Sequence, residues 1–339
     1  MPHRHAGAHR ATHAPRGLAA ACLVACATAL AAHAAAPDAP LPMQELRPGV
    51  FVHVGAIEDW GPANGGDVAN LAFVVGSRCV AVIDTGGTPA IGRALRAAVA
   101  RATPLPVCYV INTHAHPDHV LGNVAFRGEA TRFVASARFA RALAARAPSY
   151  LNALARDFGL RLAPAELVYP DVAVERSTEL DLGQRVLELR AWPTAHTDND
   201  LTVYDPASRT LFASDLLFVQ HMPALDGSLR GWVAAMAELQ QVPATLVVPG
   251  HGPAREDVRA ALAEQSTYLD GLLRAVRAAV QGGLTLSQAV DRVGVPDGAS
   301  WLLAERFHRR NVTAAFAELE WEDDTAAPAT GARAPGAKP

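Results

Sequence analysis

Apolar residues recur along the chain at two spacings. Short runs at 49–54, 71–75, 80–83, 107–112, 201–204, 210–213 and 245–248 read as strands, and the alternating stretch 172–189 as further strands. Gly76-Ser77-Arg78 and Asp205-Pro206-Ala207-Ser208-Arg209 read as hairpin turns between neighbouring runs. A helical spacing takes over elsewhere. Ile91, Leu95, Ala98 and Val99 share one face over 89–101, residues 136–158 read as a helix broken at Pro148, and 231–239 as a short helix. Beyond residue 252, Val258, Leu262, Leu269, Leu272, Val276 and Val280 share a face until Gly282-Gly283. A last helix over 311–321 turns Val312, Phe316 and Leu319 inward. The strand–helix–strand order at 80–112 predicts two parallel strands. With strand-rich halves at 50–115 and 170–250, the expected fold is α/β, a two-sheet sandwich with helices outside. The Gly-, Asn- and Pro-rich stretch 56–69 is a loop.

The ends read differently. Arg4, Arg10 and Arg16 precede a run of Ala, Leu, Val and Cys from 17 to 32, and Ala32-His33-Ala34 fits an A-x-A cleavage site, so 1–34 is expected to be a signal peptide. The run is short for a bilayer anchor. Leu23-Val24-Ala25-Cys26 resembles a lipobox, but the apolar run continues past the cysteine; a soluble periplasmic or secreted protein is favoured over a lipoprotein. Residues 35–48 form an extended segment, 49–320 the folded domain, and 321–339 an Ala/Pro/Gly tail too poor in apolar surface to fold.

Half of the 339 residues are hydrophobic and 19% charged, an ordinary globular composition. The net charge of −3 becomes −6 when three leader arginines leave, and no basic block is present, which argues against nucleic acid as partner. Lys338 is the only lysine, so no catalytic lysine is available to the domain. Cys79 and Cys108 remain after the leader is gone; bridged cysteines and two buried thiols both fit.

The chain has 13 histidines, and three fall in His114-Ala115-His116-Pro117-Asp118-His119, where an apolar strand ends. Imidazole and carboxylate are good zinc ligands. Alternate residues at a strand end point to one side, so His114 and His116 can clamp one ion, while Asp118 and His119 on the following turn reach a second. Other ligand types stand just after other expected strands: His196, Asp215 and His251. Seven candidates exceed the four that close a structural zinc site.

With these residues in view the sequence resembles the metallo-β-lactamase-fold hydrolases over about 45–255. The markers are Ile83-Asp84-Thr85-Gly86, the H-x-H-x-D-H run, His196, Asp215 and His251, in family order. The resemblance implies an αββα four-layer sandwich, here with extra C-terminal helices. It implies one zinc on His114, His116 and His196, a second on Asp118, His119 and His251, and Asp215 bridging both. Zinc-dependent lactamases commonly carry Cys or Ser where Asp215 stands; Asp there is the pattern of the glyoxalase II-like and other general hydrolases of the fold. His116 stands where the flavodiiron branch usually has Glu. Three stretches, Gly65-Gly66-Asp67-Val68-Ala69-Asn70, NTHAHPDHVLGN at 112–123, and Leu225-Asp226-Gly227-Ser228-Leu229-Arg230-Gly231-Trp232, are similar to the SoxH-related group, which includes quinoprotein relay system zinc metallohydrolases. That likeness implies an exported enzyme associated with a periplasmic PQQ-dependent dehydrogenase system.

The chemistry then expected is hydrolysis of a small ester, lactam, lactone or thioester by a hydroxide bridging two Zn²⁺ ions. Asp118 would orient that hydroxide and handle its proton. Asp84 would hold the ligands from behind. Trp60, the one large apolar side chain in the loop, and His221, which could meet a substrate carboxylate, are the substrate candidates. Antibiotic hydrolysis in the manner of β-lactamases, an iron-dependent sulfur dioxygenase and a non-catalytic metal-bearing accessory protein are the rivals. His53 and His308 read as structural.

Overall fold

The computed structural model describes residues 39–128, 130–296 and 301–322. The expected signal peptide, and the tail from residue 323 on, lie outside the described residues. Among the described residues no helix is long and apolar enough to cross a membrane.

The first sheet has seven strands in sequence order: β1 (Gln44–Arg47), β2 (Val50–His53), β3 (Leu71–Val75), β4 (Val80–Ile83), β5 (Val107–Ile111), β6 (Arg132–Ser136) and β7 (Val172–Val174). Pairing is antiparallel through β4 and parallel from β4 to β7. The change comes at β4–α1–β5, where the helix α1 (Pro89–Ala102) carries the chain across, as its order in the sequence requires. Thr88 caps that helix by accepting from Ile91 N–H. The second sheet runs β12-β11-β10-β9-β8, from β8 (Ser177–Asp181), β9 (Val186–Ala191), β10 (Leu201–Asp205), β11 (Thr210–Phe218) and β12 (Leu246–His251).

Strand alternation builds the layers. Ala72, Val74, Ala81 and Ile83 point between the sheets, onto Leu187, Leu189, Val203 and Phe212. Leu71, Phe73, Val80 and Val82 point the other way, onto Leu95 and Val99 of α1. On the far side, Leu211, Ala213 and Val247 meet the helices α4 (Leu229–Leu239), α5 (Val258–Gln281) and α7 (Ala304–Leu319). The result is the expected αββα sandwich. Because both faces of these strands are covered, they read in sequence as continuous apolar runs. The short helix α2 (Pro117–Val120) follows β5, the long helix α3 (Phe139–Asp157) packs on Val120, Leu121 and Ala135, and α6 (Leu286–Arg292) precedes α7.

Several expectations are corrected. The sheet starts at Gln44, inside the segment expected to be merely extended, because β1 pairs along β2. Helix α3 runs unbroken through Pro148: the carbonyl that loses its partner belongs to Ala144, on the exposed face, where water can replace the missing N–H. Strand β11 does not stop before Asp215 but continues to Phe218, with register shifts around Ser214. The last helix starts at Ala304 rather than at 311, and Glu322, placed in the tail, pairs with Arg277 of α5 at 2.6 Å. Cys79 and Cys108, at the starts of paired strands, form a disulfide.

Candidate metal centre

The seven ligand-type residues come together at one edge of the sandwich in two groups: His114, His116, His196 and Asp215, and Asp118, His119 and His251. Each group draws on both sheets. The hexapeptide leaves the end of β5 and is fixed at both flanks by side-chain amides: Asn112 and Asn123 donate to each other at 3.0 and 2.7 Å, and Thr85 donates to Asn123. His116 is extended (φ −76°, ψ 152°) and precedes Pro117, which starts α2 and turns Asp118 and His119 toward the second group. Asp215 sits at the irregular part of β11, after Ser214, whose φ of 47° re-aims the strand. Gly250 makes room for it: a Cβ there would stand 1.8 Å from Asp215 Oδ1. His251 closes β12.

Asp215 lies between the groups. Its Oδ1 is 3.2 Å from His119 Nε2, and its Oδ2 is 3.4 Å from both His196 Nε2 and His251 Nε2 and 3.8 Å from His114 Nε2. Asp118 Oδ2 is 3.6 Å from His119 Nε2 and 3.4 Å from His251 Nε2.

The far nitrogen of each ring is held by the protein. His119 Nδ1–H donates to Asp84 Oδ2 at 2.8 Å, His196 Nδ1–H to the Ala224 carbonyl at 2.6 Å, and His251 Nδ1–H to the Val68 carbonyl at 2.9 Å. His116 is turned round, with Nε2–H on Asp226 Oδ2 at 2.8 Å, and His114 Nδ1 lies 3.1 Å from the Thr113 hydroxyl. Fixing one N–H leaves a lone pair on the other nitrogen. The lone pairs of His196 Nε2 and His116 Nδ1 therefore face each other at 3.2 Å. His114 Nε2, His119 Nε2 and Asp215 Oδ1 are buried without a hydrogen-bond partner among the described residues. Lone pairs and carboxylates converging in a buried space, with nothing donated to them, fit a cation. Left to protons alone, the cluster draws them in. Burial works against the charge of His251, but Asp215 and Asp118 push its pKa up to about 9; His119 likewise rises well above the ordinary imidazole value. Burial instead lowers His196 to about 4 and holds His114 well below its usual range, so both rings stay neutral. Asp118 and Asp215 are held ionised: burial opposes this, but the histidines around them outweigh it. Imidazole nitrogen with carboxylate oxygen is a donor set that suits zinc.

Asp84 lies where it was expected, behind the ligands. Besides His119 it accepts from Thr113 N–H at 2.9 Å and from the Thr113 hydroxyl at 2.7 Å, and it holds a left-handed φ of 55°. Sequence reasoning missed Asp226, which orients His116 and is itself paired with Arg146 at 2.6 Å. The only signal for it was an acid in the stretch 225–232. Asn70 was also missed: its amide donates to the Pro249 and Gly252 carbonyls, on either side of His251.

The groups open into a cavity of about 340 Å³ lined by Asp118, Asp215 and His251 at its floor and by Trp60, Tyr150 and Phe307 among its apolar walls. Trp60 packs on Phe158 at 4.7 Å and donates to the Gly87 carbonyl, which fixes its ring. His221 lines the same cavity, but its Nδ1–H is donated to the Met222 carbonyl at 2.6 Å. Burial and the neighbouring His251 lower its pKa to about 4, so it offers an acceptor and not the donor a substrate carboxylate would need. His53 and His308 lie elsewhere, the first on Asp67 and Pro42, the second on Tyr268 and Val293.

Residues 64–251 match the Metallo-beta-lactamase superfamily. Among solved structures, a metallo-beta-lactamase from Pontibacter korlensis is 24% identical with a TM-score of 0.56, covering 68% of this chain and 99% of its own. A metallo-beta-lactamase family protein from Thermus thermophilus is 23% identical with a TM-score of 0.58, covering 82% and 94%. A stereoselective inverting sec-alkylsulfatase from Pseudomonas sp. is 19% identical with a TM-score of 0.63; it covers 84% of this chain, which spans about half (51%) of the sulfatase's length. At these identities the likeness is one of fold.

Proposed function

The chain belongs to the metallo-beta-lactamase superfamily, whose members are generally hydrolases with a metal site, and from that premise we propose that it is a dinuclear zinc hydrolase of a small ester, lactam, lactone or thioester. The observation that carries this reading is the set of buried, unpartnered ligand atoms around Asp215, open on one side to a cavity. His114, His116, His196 and Asp215 would hold one ion, and Asp118, His119 and His251 the other, with Asp215 between them. Bound there, paired zinc ions supply a water that ionises near neutral pH and a Lewis acid for a developing oxyanion. The protein's own groups do the rest. Asp118, whose side chain is 14% exposed at the cavity floor while His119 beside it is fully buried, orients the attacking water and takes up its proton. Asp84, Asp226, the Thr113 hydroxyl and two backbone carbonyls keep the rings aimed, so little reorganisation is needed when the nucleophile forms.

The leader pattern at 1–34 and the Cys79–Cys108 disulfide support an exported, periplasmic setting. The three stretches similar to the SoxH-related group supply Val68 behind His251, the ligand hexapeptide, and Asp226 behind His116. The likeness of these stretches to that group is the basis for the proposed role beside a quinoprotein dehydrogenase system, with a small molecule as substrate. The test is elemental analysis of the purified protein together with a panel of esters, thioesters, lactones and β-lactams. About two zinc ions per chain, lost with activity on chelation, is the expected result. Roughly one iron and no zinc would overturn it in favour of the dioxygenase, and full zinc with no turnover would favour the accessory protein.

A further inference from the structure

Three arginines line the cavity above the metal centre, and two are already paired. Arg146 meets Asp226, and Arg306 meets Asp59. Arg310 is exposed and has no hydrogen bond or acidic partner among the described residues; its guanidinium lies over the Phe307 ring, 5.8 Å from the centroid. Arg306, Phe307 and Arg310 stand at i, i+1 and i+4 of α7, on one side of the helix. The opposite side, with His308, Asn311, Val312 and Phe316, is buried. Asn311 fixes the helix against the centre: it accepts from Leu225 N–H at 2.9 Å and donates to the Pro223 carbonyl at 2.6 Å, on the loop that carries Asp226.

A second observation comes from another element. The Tyr150 hydroxyl of α3 lines the same cavity and is buried, with the residue 9% exposed; Arg146 lies beside it as a donor, and no acceptor among the described residues takes its own proton. A buried hydroxyl whose proton has no acceptor is costly in the free protein and is satisfied when a ligand supplies one. Burial, working against the pull of Arg146, raises its pKa above the usual tyrosine range, so it remains a donor at neutral pH. Glu58, an acid on the same rim, accepts from the Asn64 amide.

We propose that the substrate carries a carboxylate remote from its scissile bond, that Arg310 binds this carboxylate, and that Tyr150 donates to a second oxygen of the same molecule. The inference rests on the hydrolase reading for the word substrate, but the site itself does not. It places the specificity determinant in α7, outside residues 64–251, the span that matches the family.

The experiment compares two aryl esters, 4-nitrophenyl acetate and mono-4-nitrophenyl glutarate. It also measures calorimetric binding of glutaramate, an unreactive monoamide of the same diacid, against neutral glutaramide. Wild-type protein should prefer the carboxylate ester in kcat/KM and bind glutaramate alone. An arginine–carboxylate hydrogen bond of ordinary strength, weakened by exposure, gives about a tenfold preference. Arg310→Ala should abolish the preference and weaken glutaramate about tenfold, and Arg310→Lys should keep part of both. Tyr150→Phe should weaken glutaramate, since it removes the hydroxyl that would donate to the second oxygen. Arg309→Ala, which removes a guanidinium paired with Asp291 and not lining the cavity, should change neither. Glutaramate binding that Arg310→Ala leaves intact would overturn the proposal, as would turnover of both esters with no preference. Arg310-dependent binding without turnover of either ester would uphold the carboxylate site and refute the hydrolase reading instead.

Discussion

Asp84→Asn separates orientation of a ligand from ligation itself. Asp84 accepts three short buried hydrogen bonds, from Thr113 N–H at 2.9 Å, the Thr113 hydroxyl at 2.7 Å and His119 Nδ1–H at 2.8 Å, and a longer one from the Ser214 hydroxyl at 3.5 Å. Asparagine matches its shape and tolerates the left-handed φ of 55°, so the backbone should not be strained. Its one oxygen can keep the Thr113 N–H. The hydroxyl of Thr113 can turn to Ser214 Oγ, 2.7 Å away. His119 Nδ1–H has no second choice and would face an NH₂ group. The net loss is one charge-assisted bond, about 1.5–3 kcal/mol, which agrees with the roughly 10–100-fold in metal affinity usual for a group supporting a ligating histidine. The loss should fall on one equivalent only, the one held by Asp118, His119 and His251, because none of the other group's rings bonds to Asp84. Chelator competition with a fluorescent zinc indicator resolves the two equivalents. Both equivalents unchanged within about threefold, a shift well under the 1.4 kcal/mol that makes a factor of ten, would refute the role given to Asp84.

Asp118→Asn should lose about 10²–10⁴-fold in turnover even when zinc content, measured in the same sample, is restored; full recovery would leave Asp118 a ligand only. Asp226→Asn should weaken the other equivalent, on His116, by about 10–100-fold and leave the His119 equivalent alone; equal loss of both would mean that the loop, and not one ring, had moved. Gly250→Ala should cost the site its bridging carboxylate, since the new Cβ would stand 1.8 Å from Asp215 Oδ1 and 2.8 Å from the backbone of Ser214 and Asp215, which cannot yield. Zinc titration should then find neither equivalent at wild-type affinity, and two intact equivalents would disprove the close approach.

The seven ligand-type residues were legible because each is a polar residue interrupting or ending an apolar run, and such positions collect at one edge of a sandwich. Asp84 was legible for the same reason. What stayed hidden reaches the site from afar. Asp226, Arg146, Tyr150 and Arg310 lie on a loop and two helices whose approach is set by packing, and nothing within a few residues of them marks the encounter. The boundaries failed where one rule was applied alone. A charge after an apolar run suggests a strand end before Asp215, yet Leu216, Leu217 and Phe218 continue the strand beyond the irregularity at Ser214. Proline suggests a break at Pro148, but the hydrogen bond it removes falls on the exposed face and the helix continues. Gln44–Arg47 was passed over because an edge strand paired on one side needs little apolar sequence.

Strand β12 is the outermost of its sheet, paired along one side to β11 and, among the described residues, bridged to Arg255 at Val247. His251 is its last residue. The clasp on that end comes from the opposite sheet, through Asn70 and the Val68 carbonyl. Edge strands open at lower free energy than the centre of a sheet, and they do so without global unfolding. With the proposed pair of ions bound, release of the one served by His251 would be tied to fraying of this strand, and release of the one served by His114, His116 and His196 to the interior of the domain. The two metals should exchange with solution on different clocks, and the clasp at Asn70 sets the faster one.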